Sequence, residues 1–223
     1  MKDDICYLIK FGSEKHMLEL FEKGNLYFNT IEYFKNLEEK GNRADKLESS
    51  ISNKVFKKED NSTLTLRFKN EKEFKHKIIN ARITQYKEFL GNIFCLYSIK
   101  FNDILNNDYK IDSKIIDDKE YNYCVLITNV SEFLSRIINE LNKKDIKFSW
   151  KLIEYYNGNE NKENLTIFHK PKEYNFQKEF RIALYRSEKK EFILNIGSLK
   201  DIAIFDKTKT IKDIEIEYIK DVN

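Results

Sequence analysis

The sequence predicts an α+β fold, built largely of antiparallel sheets and beginning with a helix-strand-helix segment. Apolar residues recur at helical spacing near the start of the chain, whereas most of the last third alternates with the period of strands. Strands that follow helices in runs, instead of alternating with them, are typical of α+β domains. The 223 residues contain no linker rich in Pro, Gly or Ser, so we expect one α+β domain spanning residues 1–223.

The N-terminal segment carries clear start and stop signals. Residues 5–11 are rich in β-branched and aromatic side chains and predict a first strand. Ser13 is placed to cap the following helix, and Gly24 is placed to end it. Residues 25–29 alternate as a short second strand, after which Thr30 is placed to cap a second helix.

The rest of the chain is predicted to consist mainly of strands. Residues 42–62 are polar and charged and predict a long loop or a pair of weak strands, while residues 71–90 fit a short helix or a strand pair. Ser131 is expected to cap a helix with one apolar stripe. Further strands are expected at 63–68, 93–101, 122–128, 146–156, 164–169, 177–186, 190–196, 202–205 and 213–218.

Composition argues against several classes of protein. The 40 basic and 37 acidic residues leave a net charge of only +3, which does not support a dominant non-specific grip on nucleic acid. Three scattered cysteines without a CxxC pair, and three isolated histidines, argue against a disulfide framework and a metal hydrolase. Glycine fingerprints for dinucleotides and the P-loop are absent. With neither a signal-peptide pattern nor an apolar run of roughly 18 residues, we expect a cytoplasmic protein.

A late strand carries a candidate catalytic group. Within residues 177–186, Gln177, Glu179 and Arg181 are two apart and would share one face of a strand. The arginine can hold the glutamate ionised, and an ionised glutamate can stabilise a developing positive sugar or orient a hydroxyl. A solvated polar face with one ion pair would show the same alternation.

An aromatic corner near the start of the chain is a second candidate. Asn29 and Thr30 lie where the second strand meets the second helix, and backbone and side-chain groups there could hold a carboxamide or phosphate. Tyr33 and Phe34 offer flat faces for a nicotinamide or a base. The plainer interpretation is a helix cap followed by core aromatics.

Two charged segments complete the candidates. Arg43, Asp45 and Glu48 lie on the segment after the aromatic corner and could close over a ligand or contact phosphates through Arg43. The stretch 67–77 mixes lysines with Phe68 and Phe74, so contact with nucleic acid is conceivable, but acidic residues interrupt it. A solvated charged surface explains both segments equally well.

Taken in chain order, these segments resemble a divergent ADP-ribosyltransferase, within a group of small bacterial and phage proteins. Gln177-Lys178-Glu179 matches the Q-x-E pattern of that superfamily, in which the last Glu is catalytic. The resemblance implies an ADP-ribosyltransferase-like fold, NAD⁺ as the substrate, Glu179 as the catalytic residue and Gln177 as the residue that orients the acceptor.

The resemblance also implies the other contacts to NAD⁺. A polar residue on the first strand takes this role in the superfamily, and both Tyr7 and Lys10 are candidates here. Phe28-Asn29-Thr30 stands where the superfamily has Ser-Thr-Ser, and Tyr33 or Phe34 stands at the stacking aromatic. Arg43 and Arg181 complete the expected NAD⁺ contacts.

Three functions follow as hypotheses. The first is a mono-ADP-ribosyltransferase that acts as a toxin or in phage–host conflict and modifies a protein or nucleic-acid acceptor. The second is a phage-encoded inhibitor that binds a bacterial immune complex without catalysis. The third is a nuclease or RNA-binding toxin that uses the lysine-rich segments.

Overall fold

The computed structural model describes residues 4–37, 50–69 and 72–218. The helices are α1 (Glu14–Lys23), α2 (Ile31–Leu37), α3 (Phe101–Leu105), α4 (Ser113–Ile116) and α5 (Val130–Lys143). The strands are β1 (Ile5–Gly12), β2 (Asn25–Thr30), β3 (Ser50–Lys57), β4 (Thr63–Arg67), β5 (Glu73–Lys77), β6 (Asn80–Tyr86), β7 (Asn92–Lys100), β8 (Tyr123–Ile127), β9 (Lys147–Leu152), β10 (Glu154–Tyr156), β11 (Lys162–Glu163), β12 (His169–Pro171), β13 (Glu179–Tyr185), β14 (Phe192–Asn195) and β15 (Ala203–Lys207). Among these helices, none is long and apolar enough to cross a bilayer.

Eight strands form the main sheet. Its order is β14-β2-β7-β1-β8-β15, and β13 adds to the other edge of β7 with β9 beyond it. Pairing in this sheet is antiparallel throughout, and β10 with β12 is the parallel pair of the described chain. The predicted α+β class with largely antiparallel sheets is therefore confirmed.

Strand β7 is the centre of this sheet because it pairs with three other strands. On one edge it pairs with β1 at Tyr97–Lys100 and with β2 at Asn92 and Ile93. Residues 94–96 of β7 lie between these two partners, so the sheet divides there into two arms. On its other edge, β7 pairs with β13 from Asn92 to Tyr97. The division opens a cleft beside the start of β13.

Hydrophobic clusters cover both faces of the main sheet. The larger cluster joins one sheet face to α1 and α5, and it includes Phe180, Ile182 and Leu184 of β13. On the opposite face, a second cluster includes Ile115 and Ile116 of α4, and a third includes Ala183 with residues of the 153–168 segment. Because successive strand residues point to opposite faces, β13 places Glu179 and Arg181 on the face of these two smaller clusters.

The middle of the chain contributes most of a smaller sheet. Strands β3, β6 and β11 form it, and β4 with β5 make a separate hairpin. Segment 71–90 was predicted to hold a short helix or a strand pair; it contains two strands, β5 and β6, which pair with β4 and β3 and not with each other. Residues 50–57 form a strand within the segment that was predicted to be a loop or weak strands.

The predicted helix-strand-helix segment is confirmed as α1, β2 and α2. Gly24 ends α1 in the left-handed conformation, with φ of 66°. A Cβ atom at this position would lie 1.8 Å from the carbonyl oxygen of Gly197. The position thus requires glycine for both its conformation and this close approach.

Several predicted boundaries are wrong. The cap of α5 is Asn129, whose side chain accepts from the Glu132 amide, and not Ser131. Segments 164–169 and 213–218 do not form the predicted strands, apart from His169 at the start of β12. Strand β13 begins at Glu179 rather than at residue 177.

Candidate active site

A cavity of about 770 Å³ opens where the main sheet divides. Its volume lies within the roughly 300–1,000 Å³ that ligand pockets usually have. Residues of α1, β2, α2, β7 and β13 line it, so it joins the start of the chain to its last third. The predicted site residues that line it are Lys10, Asn29, Tyr33, Phe34, Gln177, Glu179 and Arg181.

Glu179 lies in the wall of this cavity at the first position of β13. Its side chain is buried and its two carboxylate oxygens have different partners. Arg181 Nε donates to Oε1 at 2.6 Å, and Lys170 Nζ donates to Oε2 at 2.7 Å. The Glu179 amide donates to the hydroxyl of Tyr155 at 3.0 Å. The carboxylate is therefore held by one cation of its own strand and one of β12, and its backbone is held by Tyr155 of β10.

The charges around Glu179 keep it ionised. Burial alone would raise its pKa, but the neighbouring Arg181 and Lys170 cations outweigh burial and hold the pKa well below the ordinary value of 4.5. The prediction that Arg181 holds Glu179 ionised agrees with this geometry. The cluster contains two cations and one carboxylate, all with side chains at most 8% exposed, so it carries a surplus positive charge.

Gln177 reaches the cluster by a different route from the predicted one. It ends a 3₁₀ segment, Lys172–Gln177, and Lys178 follows in the left-handed conformation with φ of 37°. The prediction that Gln177, Glu179 and Arg181 project from one strand is therefore wrong for Gln177. Its Oε1 instead accepts from Lys170 Nζ at 2.8 Å, so Lys170 joins Gln177 to Glu179.

Lys170, Tyr155 and Cys95 were not predicted as site residues. Lys170 comes from β12, a three-residue strand that has no regular pattern. The Cys95 thiol interacts with the Glu179 carboxylate, and burial raises the pKa of Cys95 to about 12. A thiol with this pKa is protonated at neutral pH and is a poor nucleophile.

Tyr97 is a further residue that was not predicted, and it is the cross-strand partner of Glu179. It lines the cavity, and burial raises the pKa of its phenol above the ordinary value of 10.0. Within the part of the chain that the structure describes, its buried hydroxyl has no hydrogen-bond partner. Most buried polar groups in proteins are paired.

Aromatic side chains form another part of the cavity lining. Tyr33 and Phe34 of α2 meet edge to face, with ring centroids 5.4 Å apart. Tyr33 is 47% exposed, so part of its ring surface is open to a ligand. Asn29 and Tyr27 of β2 also line the cavity, and the Tyr27 hydroxyl donates a hydrogen bond to the Glu19 carboxylate.

The structure distinguishes between the two candidates on the first strand. Lys10 lines the cavity and its Nζ donates to the carbonyl oxygen of Cys95 at 2.8 Å. Tyr7 packs against the second hydrophobic cluster and is not among the cavity residues. Tyr7 is therefore not placed to contact a ligand in this cavity.

Two other predicted contacts are not brought to the cavity. The hydroxyl of Thr30 accepts from the Tyr33 amide at 3.1 Å, so Thr30 caps α2 and does not line the cavity. Arg43, together with Asp45 and Glu48, lies outside the described residues.

Comparisons with protein-family models, with curated proteins and with solved structures gave no match for this chain. Across residues 4–37, 50–69 and 72–218, no group of three or more His, Cys, Asp or Glu side chains is placed to hold a metal ion. The residues that line the cavity are therefore the basis for assigning its chemistry.

Proposed function

We propose that this protein has an ADP-ribosyltransferase-like fold and that it transfers ADP-ribose from NAD⁺ to an acceptor. One observation carries the proposal. The buried, ionised Glu179 lines the same cavity as Asn29, Tyr33 and Phe34, although about 150 positions separate them in the chain.

Glu179 supplies the electrostatic part of the reaction. Its carboxylate accepts a hydrogen bond from a hydroxyl of the nicotinamide ribose while the bond between C1′ and the nicotinamide nitrogen breaks. The bonding electron pair leaves with nicotinamide, which becomes neutral, and the positive charge moves to the sugar. An ionised carboxylate stabilises such an oxocarbenium-like state. The acceptor then bonds to C1′ and loses its proton.

The other cavity residues bind and orient. Tyr33 or Phe34 stacks on the nicotinamide, since the two rings are almost perpendicular, and Asn29 offers an amide to its carboxamide. The surplus positive charge that Lys170 and Arg181 give the cluster favours the anionic pyrophosphate of NAD⁺. Gln177 orients the acceptor, which is a protein or a nucleic acid.

The direct test is NAD⁺ binding by calorimetry, followed by transfer of label from NAD⁺ into a cell lysate. We expect wild-type protein to bind NAD⁺ and to release nicotinamide, and Glu179→Gln to abolish release. Glu163→Gln changes a glutamate whose side chain is 67% exposed and should retain activity. Absence of both NAD⁺ binding and label transfer in the wild type would refute the proposal.

The Glu179 variants need a check on folding. Removing the carboxylate leaves two buried cations without their partner, which costs about 3–5 kcal/mol in other proteins. Glu179→Ala and Glu179→Gln are therefore both expected to be markedly destabilised. Tyr33→Ala removes a half-exposed ring and should reduce NAD⁺ affinity without this cost, whereas Tyr218→Ala, off the cavity, should not.

A non-enzymatic binding protein is the second candidate. Both oxygens of Glu179 are occupied by protein donors, and the side chain is nearly inaccessible, as in a purely structural ion cluster. On this hypothesis the chain is an inhibitor that forms a stoichiometric complex with its target. A pull-down from host lysate that recovers the same partner with wild type and with Tyr33→Ala, together with no nicotinamide release, would favour it.

A further inference from the structure

The β4–β5 hairpin has one apolar face that nothing in the described chain covers. Leu64, Leu66 and Phe74 alternate on this face, and Leu66 is paired directly with Phe74. Phe68 extends it, with its ring centroid 5.9 Å from that of Phe74. These four side chains are each at least 51% exposed, and none of the residues described in 62–69 and 72–77 belongs to a hydrophobic cluster.

The same hairpin holds the basic excess of the protein. Residues 62–77 contain five basic and two acidic side chains, a net charge of +3, which equals the net charge of the whole chain. Of the hairpin's ion pairs, the described ones converge on Glu73, which contacts Arg67 at 2.6 Å and Lys75 at 3.7 Å. The remaining lysines of the segment are Lys69, Lys72 and Lys77, all exposed.

The charge of the hairpin decides between candidate partners. A second copy of this chain would bring two hairpins of net charge +3 together, which opposes association through this face. Strand alternation puts Arg67, Lys75 and Lys77 on the opposite face of the hairpin from the rings. Lys69 and Lys72 instead lie in the turn next to Phe68, whose amide donates to the Lys72 carbonyl oxygen at 3.0 Å, and both lysines are exposed. Exposed aromatic rings with cations at one end match the surfaces that bind single-stranded nucleic acid, in which bases stack on rings and phosphates pair with the cations.

We propose that the β4–β5 hairpin binds single-stranded nucleic acid, with bases stacked on Phe68 and Phe74 and phosphates held by the surrounding cations. The small net charge of the whole chain does not reveal this surface, because the 16 residues 62–77 carry a net charge of +3 while the other 207 residues sum to zero. The inference does not depend on transferase activity, because the hairpin is separate from the cavity that Glu179 lines.

The test is fluorescence anisotropy of the full chain with a labelled single-stranded RNA, and a DNA of the same sequence, each about 20 nucleotides long. We expect binding that weakens roughly tenfold to a hundredfold between 50 and 200 mM salt, as three to five phosphate contacts require. Phe68→Ala and Phe74→Ala should each reduce affinity at least about fivefold. Lys69→Gln, in the turn next to Phe68, should lower the salt dependence by about 0.7 in the log–log slope.

Controls come from exposed residues away from the hairpin. Lys143→Gln on α5 and Tyr218→Ala should leave affinity unchanged, and circular dichroism should show the hairpin variants folded, since they remove no buried side chain. The inference is overturned if neither strand binds at low salt, or if the phenylalanine variants bind as well as the wild type.

Discussion

Lys10 Nζ donates a 2.8 Å hydrogen bond to the carbonyl oxygen of Cys95, 85 positions later in the chain. Cys95 is the middle residue of the stretch of β7 that lies between the partners β1 and β2. Its carbonyl faces the edge on which no strand is paired, so the lysine takes the place of a strand donor. The same ammonium lies 4.7 Å from the ring centroid of Phe94.

Lys10→Met should lower the free energy of unfolding by about 1–3 kcal/mol, because the Cys95 carbonyl would lose its donor inside the cleft. Urea denaturation measures the change. Lys15→Met alters an exposed lysine of α1 and should change stability little. Equal stability of Lys10→Met and the wild type would show that solvent satisfies this carbonyl.

The buried Glu179 should give the protein an acid-sensitive stability. Its pKa is lowered on folding, so its contribution is present above the unfolded-state value of about 4.5 and is lost as the pH falls towards the folded-state value. We expect Glu179→Gln to be less stable than wild type at pH 7. The difference in the free energy of unfolding should shrink as the pH falls below about 4.5. Urea denaturation over a pH series measures it, and Glu163→Gln should follow the wild-type curve.

Lys170 and Glu179 should be strongly coupled. Either Lys170→Met or Glu179→Gln leaves a buried charge with fewer partners, and each is expected to cost about 3–5 kcal/mol. The double variant should cost less than the sum, because neither charge of that pair remains. A double-mutant cycle measured by urea denaturation tests this, and additive effects would argue against a direct interaction.

Tyr97→Phe should leave stability unchanged or raise it by about 1 kcal/mol, since the substitution removes a buried hydroxyl without a partner among the described residues. Tyr109→Phe is the matched control in the same cluster. The Tyr109 hydroxyl accepts from the Ile216 amide at 3.3 Å, so its removal should destabilise. Thermal denaturation compares the two, and destabilisation by Tyr97→Phe would indicate a bound water or ligand at the hydroxyl.

Gly24→Ala should be among the more damaging single substitutions outside the core. The added methyl group would meet the Gly197 carbonyl, and the left-handed conformation at Gly24 disfavours any side chain. We expect a lowered melting temperature. Gly158→Ala is the control, because φ there is not in the left-handed region and the nearest atom to its Cβ would be 3.4 Å away.

Local signals in the sequence were sufficient for much of the fold. The Ser13 and Gly24 signals bracket α1 correctly, and alternation identified β2 and β4. Such signals depend on neighbouring residues alone. Boundaries failed where long-range contacts decide, as at Lys178, whose left-handed conformation separates Gln177 from the strand.

The candidate site was predictable only in part, for a similar reason. Alternation along the chain marked Glu179 and Arg181 as a pair. Lys170 was not predictable, because its partner lies on another strand and its own segment has no period. Thr30 was read as both a cap and a ligand contact, and its hydrogen bond to the Tyr33 amide supports the cap.

The two ends of the β4–β5 hairpin meet at a single backbone hydrogen bond, from the Ile78 amide to the Ser62 carbonyl at 2.9 Å. The described residues between these two ends belong to none of the hydrophobic clusters that hold the sheets together. Mutations in residues 62–77 can therefore accumulate, and loops of other lengths can replace them, while the thermodynamics of folding stay almost constant. If the hairpin binds nucleic acid as proposed, its binding surface can change by mutation without changing the residues that hold the scaffold.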